Sequence, residues 1–246
     1  MAIRAVLFDI GDTLWHAPNP PSPVEFRAMA AARAGEWLAS AGLAAADPGV
    51  VSRIAWDAME QAARKARRTT KVEPTYGDVA RIALRRLKVD ISSAQAMALL
   101  EAIYVSGPEG GKVAYPDAAA TLTELKRRGF LLGMATNRSF GGDRFREDLR
   151  ATGLDIGWDA SAVSVEVGFM KPHRALFETV LSSLKVTPGE ALMVGNSLAE
   201  DVAGAQALGI ATAWKRSKAD AEGVTPDIVF DEVSELLRSP LLVRTP

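Results

Sequence analysis

The chain of 246 residues contains no cysteine, which removes disulfide frameworks, thiolate zinc sites and cysteine nucleophiles from consideration. That absence fits a reducing compartment. An excess of either charge is also missing: 29 basic and 30 acidic residues leave a formal net charge of −1. No overall basic field therefore draws the chain to nucleic acid or to an anionic membrane, although a local patch could still hold an anion. No apolar stretch reaches the length that spans a bilayer, and Met1 leads straight into Ile3 to Phe8 without the pattern of a cleaved signal. The expectation is a cytoplasmic protein with neither nucleic acid nor membrane as partner. What is present is a 48% share of apolar residues, enough for a packed core in one large domain or two small ones.

Residues 3 to 8 read as a buried strand, a short apolar run ended by the turn-forming Asp9, Gly11 and Asp12. After Pro18, Pro20, Pro21 and Pro23 the character changes, and the patterning predicts four helices over about 24 to 42, 48 to 68, 74 to 88 and 92 to 105. From Pro116 helix and strand alternate: helices near 117 to 128, 142 to 152, 172 to 184 and 199 to 208, and strands near 130 to 136, 160 to 165, 190 to 195, 210 to 214 and 227 to 230, with a last helix beyond. Such alternation predicts an α/β fold, a doubly wound parallel sheet with helices on both faces. Since the first strand belongs to the same sheet, the all-helical block is an insertion. The expected domains are residues 1–15 with 113–246 for the α/β core and 16–112 for the helical cap.

Four short segments place a polar residue just past an apolar run, where a parallel sheet presents side chains at the carboxyl ends of its strands. They are Val6 to Leu14, Met134 to Asn137, Lys171-Pro172, and Met193 to Ser197 followed by Asp201. Singly, each has a plain structural reading. Asp9 could be a turn residue bonded to nearby amides. Thr136-Asn137 could be a loop start, and Lys171 a solvated lysine ahead of a helix that begins with Pro172. Asn196 and Ser197 are good N-cap residues.

In this order the four segments resemble those of the haloacid dehalogenase-like (HAD) hydrolase superfamily, most of whose members are magnesium-dependent phosphatases. The wording from Glu166 to Pro172 is especially similar, and Val194-Gly195-Asn196-Ser197 with Asp201 and Gly204-Ala205 resembles the family's fourth stretch. The resemblance implies a Rossmann-like core with a helical cap, acting on a small phosphorylated metabolite. It implies that Asp9 attacks phosphorus and forms an aspartyl-phosphate. Thr136 and the amide of Asn137 would hold phosphoryl oxygens, and Lys171 would neutralise both Asp9 and the transferring group. Mg²⁺ would be held by Asp9, the backbone carbonyl of Gly11, Asn196 and Asp201, with Glu200 a further source of charge.

Two positions depart from the family pattern. Gly11 stands where a second aspartate supplies general acid-base catalysis, so metal binding can survive while proton transfer suffers. Asp12 and His16 are the nearby candidates for a substitute acid; the first also reads as a turn residue and the second as a packing or surface residue. Asn196 stands where an acid holds the metal, leaving one negative charge fewer. Alternatives therefore stay open: a 2-haloacid dehalogenase using Asp9 as nucleophile, since that branch also lacks the second aspartate and carries an asparagine in the fourth segment, or a non-catalytic binding protein of the same fold. Within the helical block, Arg64, Lys65, Arg67, Arg68 and Lys71 form the densest positive cluster; it reads as a solvated face or as a contact for an anionic substrate. Trp37 and Trp56 are expected between helices.

Overall fold

The computed structural model describes residues 2–217 and 223–243. Strand β1, Ala5–Phe8, is buried at every position, as befits a parallel strand covered on both faces. Two-residue strand β2, Trp15–His16, follows directly. Helices α1 (Pro23–Ser40), α2 (Pro48–Arg68), α3 (Tyr76–Leu84) and α4 (Ser93–Ala102) come next. Then come β3 (Val113–Ala114), α5 (Ala118–Arg127), β4 (Leu131–Thr136), α6 (Gly142–Ala151), β5 (Ala160–Val163) and α7 (Ser164–Val167). The chain continues through α8 (Arg174–Leu184), β6 (Ala191–Gly195), α9 (Ala203–Gln206), β7 (Ala211–Lys215) and β8 (Ile228–Phe230).

The described strands make one six-stranded sheet in the order β5, β4, β1, β6, β7, β8, every neighbouring pair parallel. The chain builds outward from β1 on one side through β4 and β5, then crosses to build β6, β7 and β8 on the other. That reversal creates a crevice beside β1 at the carboxyl edge, the usual ligand position of a doubly wound sheet. Alternation of side chains divides the core between the two faces. Val6, Phe8, Leu132, Met134, Leu192 and Val194 pack with Leu122, Leu125 and Phe145. Ala5, Leu7, Ala135 and Met193 pack with Leu176, Phe177 and Val180 on the other face.

The chain divides into two compact units, Met1–His16 with Lys112–Pro246, and Ala17–Gly111. Antiparallel pairing of β2 with β3, His16 opposite Val113 and Trp15 opposite Ala114, keeps His16 and Lys112 with the α/β unit. This two-stranded ribbon has no counterpart in the sequence expectations, because two residues are too few to show alternation.

In the helical unit each helix packs on the next along the chain. Ser22 and Glu25 form a reciprocal capping box at the start of α1, Ser92 and Gln95 do the same for α4, and Asp47 accepts from the Val50 N–H at 2.9 Å at α2. These caps satisfy N–H groups that have no partner inside the helix. Ala34, Leu38, Val51, Ala55, Met59, Ala80, Leu84, Leu99 and Leu100 are buried. Trp37 and Trp56 are half-buried, and Trp56 lines a cavity of about 570 Å³ with Phe26, Ala30 and Ile103. Arg64, Lys65, Arg67 and Arg68 are exposed on the last turns of α2, where Arg64 pairs with Glu60 at 2.6 Å and positive charge suits the helix terminus.

Several expected elements are shorter or differently wound, among them the last helix, which is a 3₁₀ helix, Val233–Arg238. The helix expected over 74 to 88 is α3 followed by a 3₁₀ turn, Arg85–Leu87, closed by Lys88 at φ 59°. The strand expected to reach 165 ends at Val163, because α7 winds a single turn that Gly168 stops at φ 87°, a conformation glycine adopts without penalty. The helix expected over 199 to 208 opens with a π turn, Leu198–Val202, before α9. Among the described residues no helix is long and apolar enough to cross a membrane.

Candidate active site

Asp9 follows β1 at the crevice, and its N–H donates to the Val194 carbonyl at 2.9 Å, extending the ladder to β6 by one residue. The pairing of Phe8 with Met134 and Val194 brings the ends of β4 and β6 to either side of it. Thr136, the last residue of β4, donates its hydroxyl to Asp9 Oδ1 at 3.1 Å. The Lys171 ammonium donates to the same oxygen at 2.7 Å. Thr13, four residues beyond Asp9, donates to Oδ2 at 3.2 Å. Three side chains from three segments therefore converge on one buried carboxylate, and among the described residues Oδ1 takes two side-chain donors and Oδ2 one.

Lys171 is also buried, and its ammonium is shared with Asp201 Oδ1 at 2.6 Å. Burial, the largest influence, opposes its charge, but the Asp201 and Asp9 carboxylates together outweigh it and hold the amine above the ordinary lysine range. For Asp201, burial pushes the pKa up to about 6, Lys171 pulls against it and the Asp9 charge adds to the rise. The π turn has a part in this arrangement. Ser197 accepts from the Glu200 N–H at 3.1 Å as N-cap, while its own N–H donates to Asp201 Oδ2 at 2.9 Å. Such turns inside helices recur at functional sites. A Cβ built at Gly195 would overlap the Asp201 carboxylate, so only glycine allows this approach.

Asn137 positions the Lys171 segment. Its side-chain carbonyl accepts from the Lys171 N–H at 2.7 Å, and its amide donates to the Lys171 carbonyl at 3.3 Å and to Glu200 Oε2 at 3.1 Å. The side chain is thus spent on protein partners. Pro172 follows Lys171 through a cis peptide.

The four sequence segments meet at one place, but the expected metal ligands divide. Asp201 has one oxygen on Lys171 and the other on the Ser197 N–H, which makes it the counter-ion of Lys171. Asn196 Oδ1 instead shares the Thr13 hydroxyl with Asp9 Oδ2, at 3.3 and 3.2 Å. Among the described residues no three histidine or acidic side chains converge in a way that would hold a metal. The oxygen donors that remain are the Asp9 carboxylate, the Asn196 amide oxygen and the Gly11 carbonyl. This all-oxygen set fits Mg²⁺, which keeps several waters and uses few carboxylates, and it carries a single negative charge.

Neither candidate substitute acid is hydrogen-bonded to Asp9 among the described residues. Asp12 is exposed, in the left-handed region at φ 54°. His16 stacks on Tyr115, with ring centroids 4.3 Å apart. Three residues that the sequence reading did not single out border this region: Thr13, visible in hindsight four residues after Asp9; Arg138, directly after Thr136-Asn137; and Lys112, which has no local signal at all.

A family model of the haloacid dehalogenase-like hydrolases matches residues 3–209. A phosphoserine phosphatase of Thermus thermophilus is 34% identical over 130 residues, 52% of this chain and 51% of that protein. A pyrophosphatase PpaX of Bacillus mycoides is 31% identical over 134 residues, 53% of this chain and 60% of that protein. The chain spans about half the length of the curated relatives it matches. Among solved structures, a HAD phosphatase from Thermococcus onnurineus superposes with a TM-score of 0.60 at 25% identity, covering 96% of this chain and 97% of that one. A 2-haloacid dehalogenase from Pseudomonas syringae pv. tomato superposes with a TM-score of 0.64 at 23% identity, covering 96% and 97%, a likeness of fold.

Proposed function

Because the chain belongs to the haloacid dehalogenase-like hydrolases, we propose that it is a Mg²⁺-dependent phosphatase of small phosphate esters or acyl phosphates, working through a phosphorylated Asp9. The observation that carries this reading is the convergence of Thr13, Thr136 and Lys171 on the Asp9 carboxylate. Such donors orient a buried nucleophile.

In the first step an Asp9 oxygen bonds to phosphorus as the bond to the leaving oxygen breaks. Oδ2, with one hydroxyl contact, keeps a lone pair for the attack. The Lys171 ammonium, the Thr136 hydroxyl and the Asn137 backbone N–H offset charge on the phosphoryl oxygens. Asp201 keeps Lys171 in place and charged. In the second step water attacks phosphorus, phosphate departs, and the Asp9 carboxylate is restored. Asp9, the Gly11 carbonyl and Asn196 would hold Mg²⁺, which supplies positive charge to the transferring group. With glycine at position 11 the leaving oxygen lacks a dedicated proton donor, so acyl phosphates and aryl esters, whose leaving groups depart unprotonated, are the preferred class.

Phosphate release from acetyl phosphate and para-nitrophenyl phosphate, with and without Mg²⁺, tests this against an Asp9→Asn variant. Mg²⁺-dependent turnover abolished in the variant supports the reading; absence of release from folded protein removes it. The paired departures at Gly11 and Asn196 favour one second reading, in which Asp9 attacks the halogen-bearing carbon of a 2-haloacid, halide leaves with the bonding pair, and water hydrolyses the resulting ester. Halide release from 2-chloropropionate detects it.

A further inference from the structure

Beside the Asp9 site, the β2–β3 ribbon carries a group of residues that the proposed chemistry does not use. Trp15 is 1% exposed, yet its indole Nε1–H is buried with no hydrogen-bond acceptor among the described residues. An N–H in that condition loses free energy that an acceptor would return. The Lys112 ammonium lies 4.9 Å from the centroid of the Trp15 ring. It is half-buried, and among the described residues it has a ring contact with Trp15 but neither a hydrogen bond nor an ion pair. The Arg138 guanidinium lies 5.1 Å from the same centroid and 4.3 Å from that of Phe145, and it is paired with buried Asp148 at 3.3 Å.

One aromatic ring thus has an N–H without an acceptor at its edge and two cations close to it, one of them unpaired. Burial, followed by the charge of Arg138, lowers the Lys112 pKa, while the carboxylates of Asp12, Asp148 and Asp9 act to raise it. Trp15 lies two residues beyond Thr13, whose hydroxyl donates to Asp9 Oδ2 at 3.2 Å, and it bridges back to Gly11, so this group borders the Asp9 site closely enough to serve the same small molecule. A half-buried ammonium without a counter-ion is costly unless an anion arrives to pair with it.

We propose that Trp15 and Lys112, with Arg138 beside them, form a subsite for a carboxylate carried on the same substrate as the reacting phosphoryl group. One indole N–H and one ammonium match the two oxygens of a carboxylate. The inference rests on the phosphoryl-transfer reading of Asp9 and narrows the substrate to a small phosphorylated carboxylic acid.

Two non-hydrolysable probes test it: phosphonoacetate, which has both groups, and ethylphosphonate, which lacks the carboxylate. Affinities are measured by calorimetry with Mg²⁺ present. The Trp15 indole resonance is followed in ¹⁵N-labelled protein and assigned by its loss in Trp15→Phe. Phosphonoacetate should bind about tenfold or more tightly than ethylphosphonate and should alone move the Trp15 resonance. The affinity ratio should fall to about one in Lys112→Met, whose stem still covers the ring, and be retained in Lys112→Arg. Should Lys112→Met fail to fold, Lys112→Gln is expected to show the same collapse. Equal affinities in the wild type, or a ratio that survives Lys112→Met, would overturn the subsite and leave the phosphoryl reading intact. Phosphonoacetate binding that moves Trp15, with no ethylphosphonate binding at all, would keep the subsite and remove the phosphoryl reading. If neither probe binds, both fall.

Discussion

Lys171 Nζ donates to Asp201 Oδ1 across 2.6 Å with both side chains 2% exposed, so a residue expected to hold the metal instead holds the lysine. The same ammonium reaches Asp9 at 2.7 Å, and one buried cation serves two buried carboxylates. Replacing Lys171 with methionine would leave both acids without the cation they share. Removing one member of a buried ion pair costs about 3–5 kcal/mol, and the urea midpoint of Lys171→Met should fall accordingly. Asp201→Asn should cost less, because Asp9 still pairs with the ammonium. A negligible shift in Lys171→Met would contradict the arrangement.

Gly11 offers a gain-of-function test. A Cβ built there meets no heavy atom within 4 Å, so an aspartate side chain has room. If the phosphatase reading holds, Gly11→Asp supplies the missing proton donor. Turnover of alkyl phosphates should rise by about a hundred- to ten-thousand-fold, the usual range of general acid-base catalysis. Acetyl phosphate, whose leaving group needs no proton, should respond far less. Steady-state kinetics on the two substrate classes reads the difference.

Asn196→Asp places a second negative charge on the Thr13 hydroxyl that already joins positions 9 and 196. Magnesium affinity depends on ligand charge, so the Mg²⁺ concentration for half-maximal activity should fall about tenfold or more. Calorimetric titration with Mg²⁺ in the absence of substrate should show the same change. Equal affinity in the two proteins would place the metal elsewhere.

Stability should depend on pH through Glu190, which sits ahead of β6 and ties the start of β1 to it. The Thr187 N–H, the Arg4 guanidinium and the Thr187 hydroxyl all donate to its carboxylate. They depress its pKa from 4.5 to about 2. A depressed carboxylate contributes stability that is fully present above the unfolded value and is lost as pH falls toward the folded one. The melting-temperature difference between wild type and Glu190→Gln should therefore be constant above about pH 5, shrink between pH 4.5 and 2, and vanish below. A difference that persists unchanged at pH 2 would assign the effect to packing.

Much of this organisation is local and could be read directly. The runs that became β1, β4 and β6 are short, apolar and closed by polar residues, and the helices announce themselves by caps such as Ser22 with Glu25 and Ser92 with Gln95, partners three positions apart. The order of the four segments carried the resemblance to the family. Candidate residues Asp9, Thr136, Asn137, Lys171, Asn196 and Asp201 were all legible as polar positions at strand ends.

Which of those residues touch one another was decided only by the tertiary structure. Lys171 meets Asp9 across 162 positions and Asp201 across 30, and Thr13 meets Asn196 across 183. These contacts depend on strand order, with β1 between β4 and β6, and on the π turn that accompanies the Asp201–Lys171 contact in place of a regular helix. The Trp15–Lys112 pair depends on a ribbon of two residues per strand whose partners lie on either side of the insertion in the sequence. Periodicity and capping act over a turn or two of chain and determine the elements. Long-range pairing is determined by how the elements bury their apolar faces together, and no single segment contains that information.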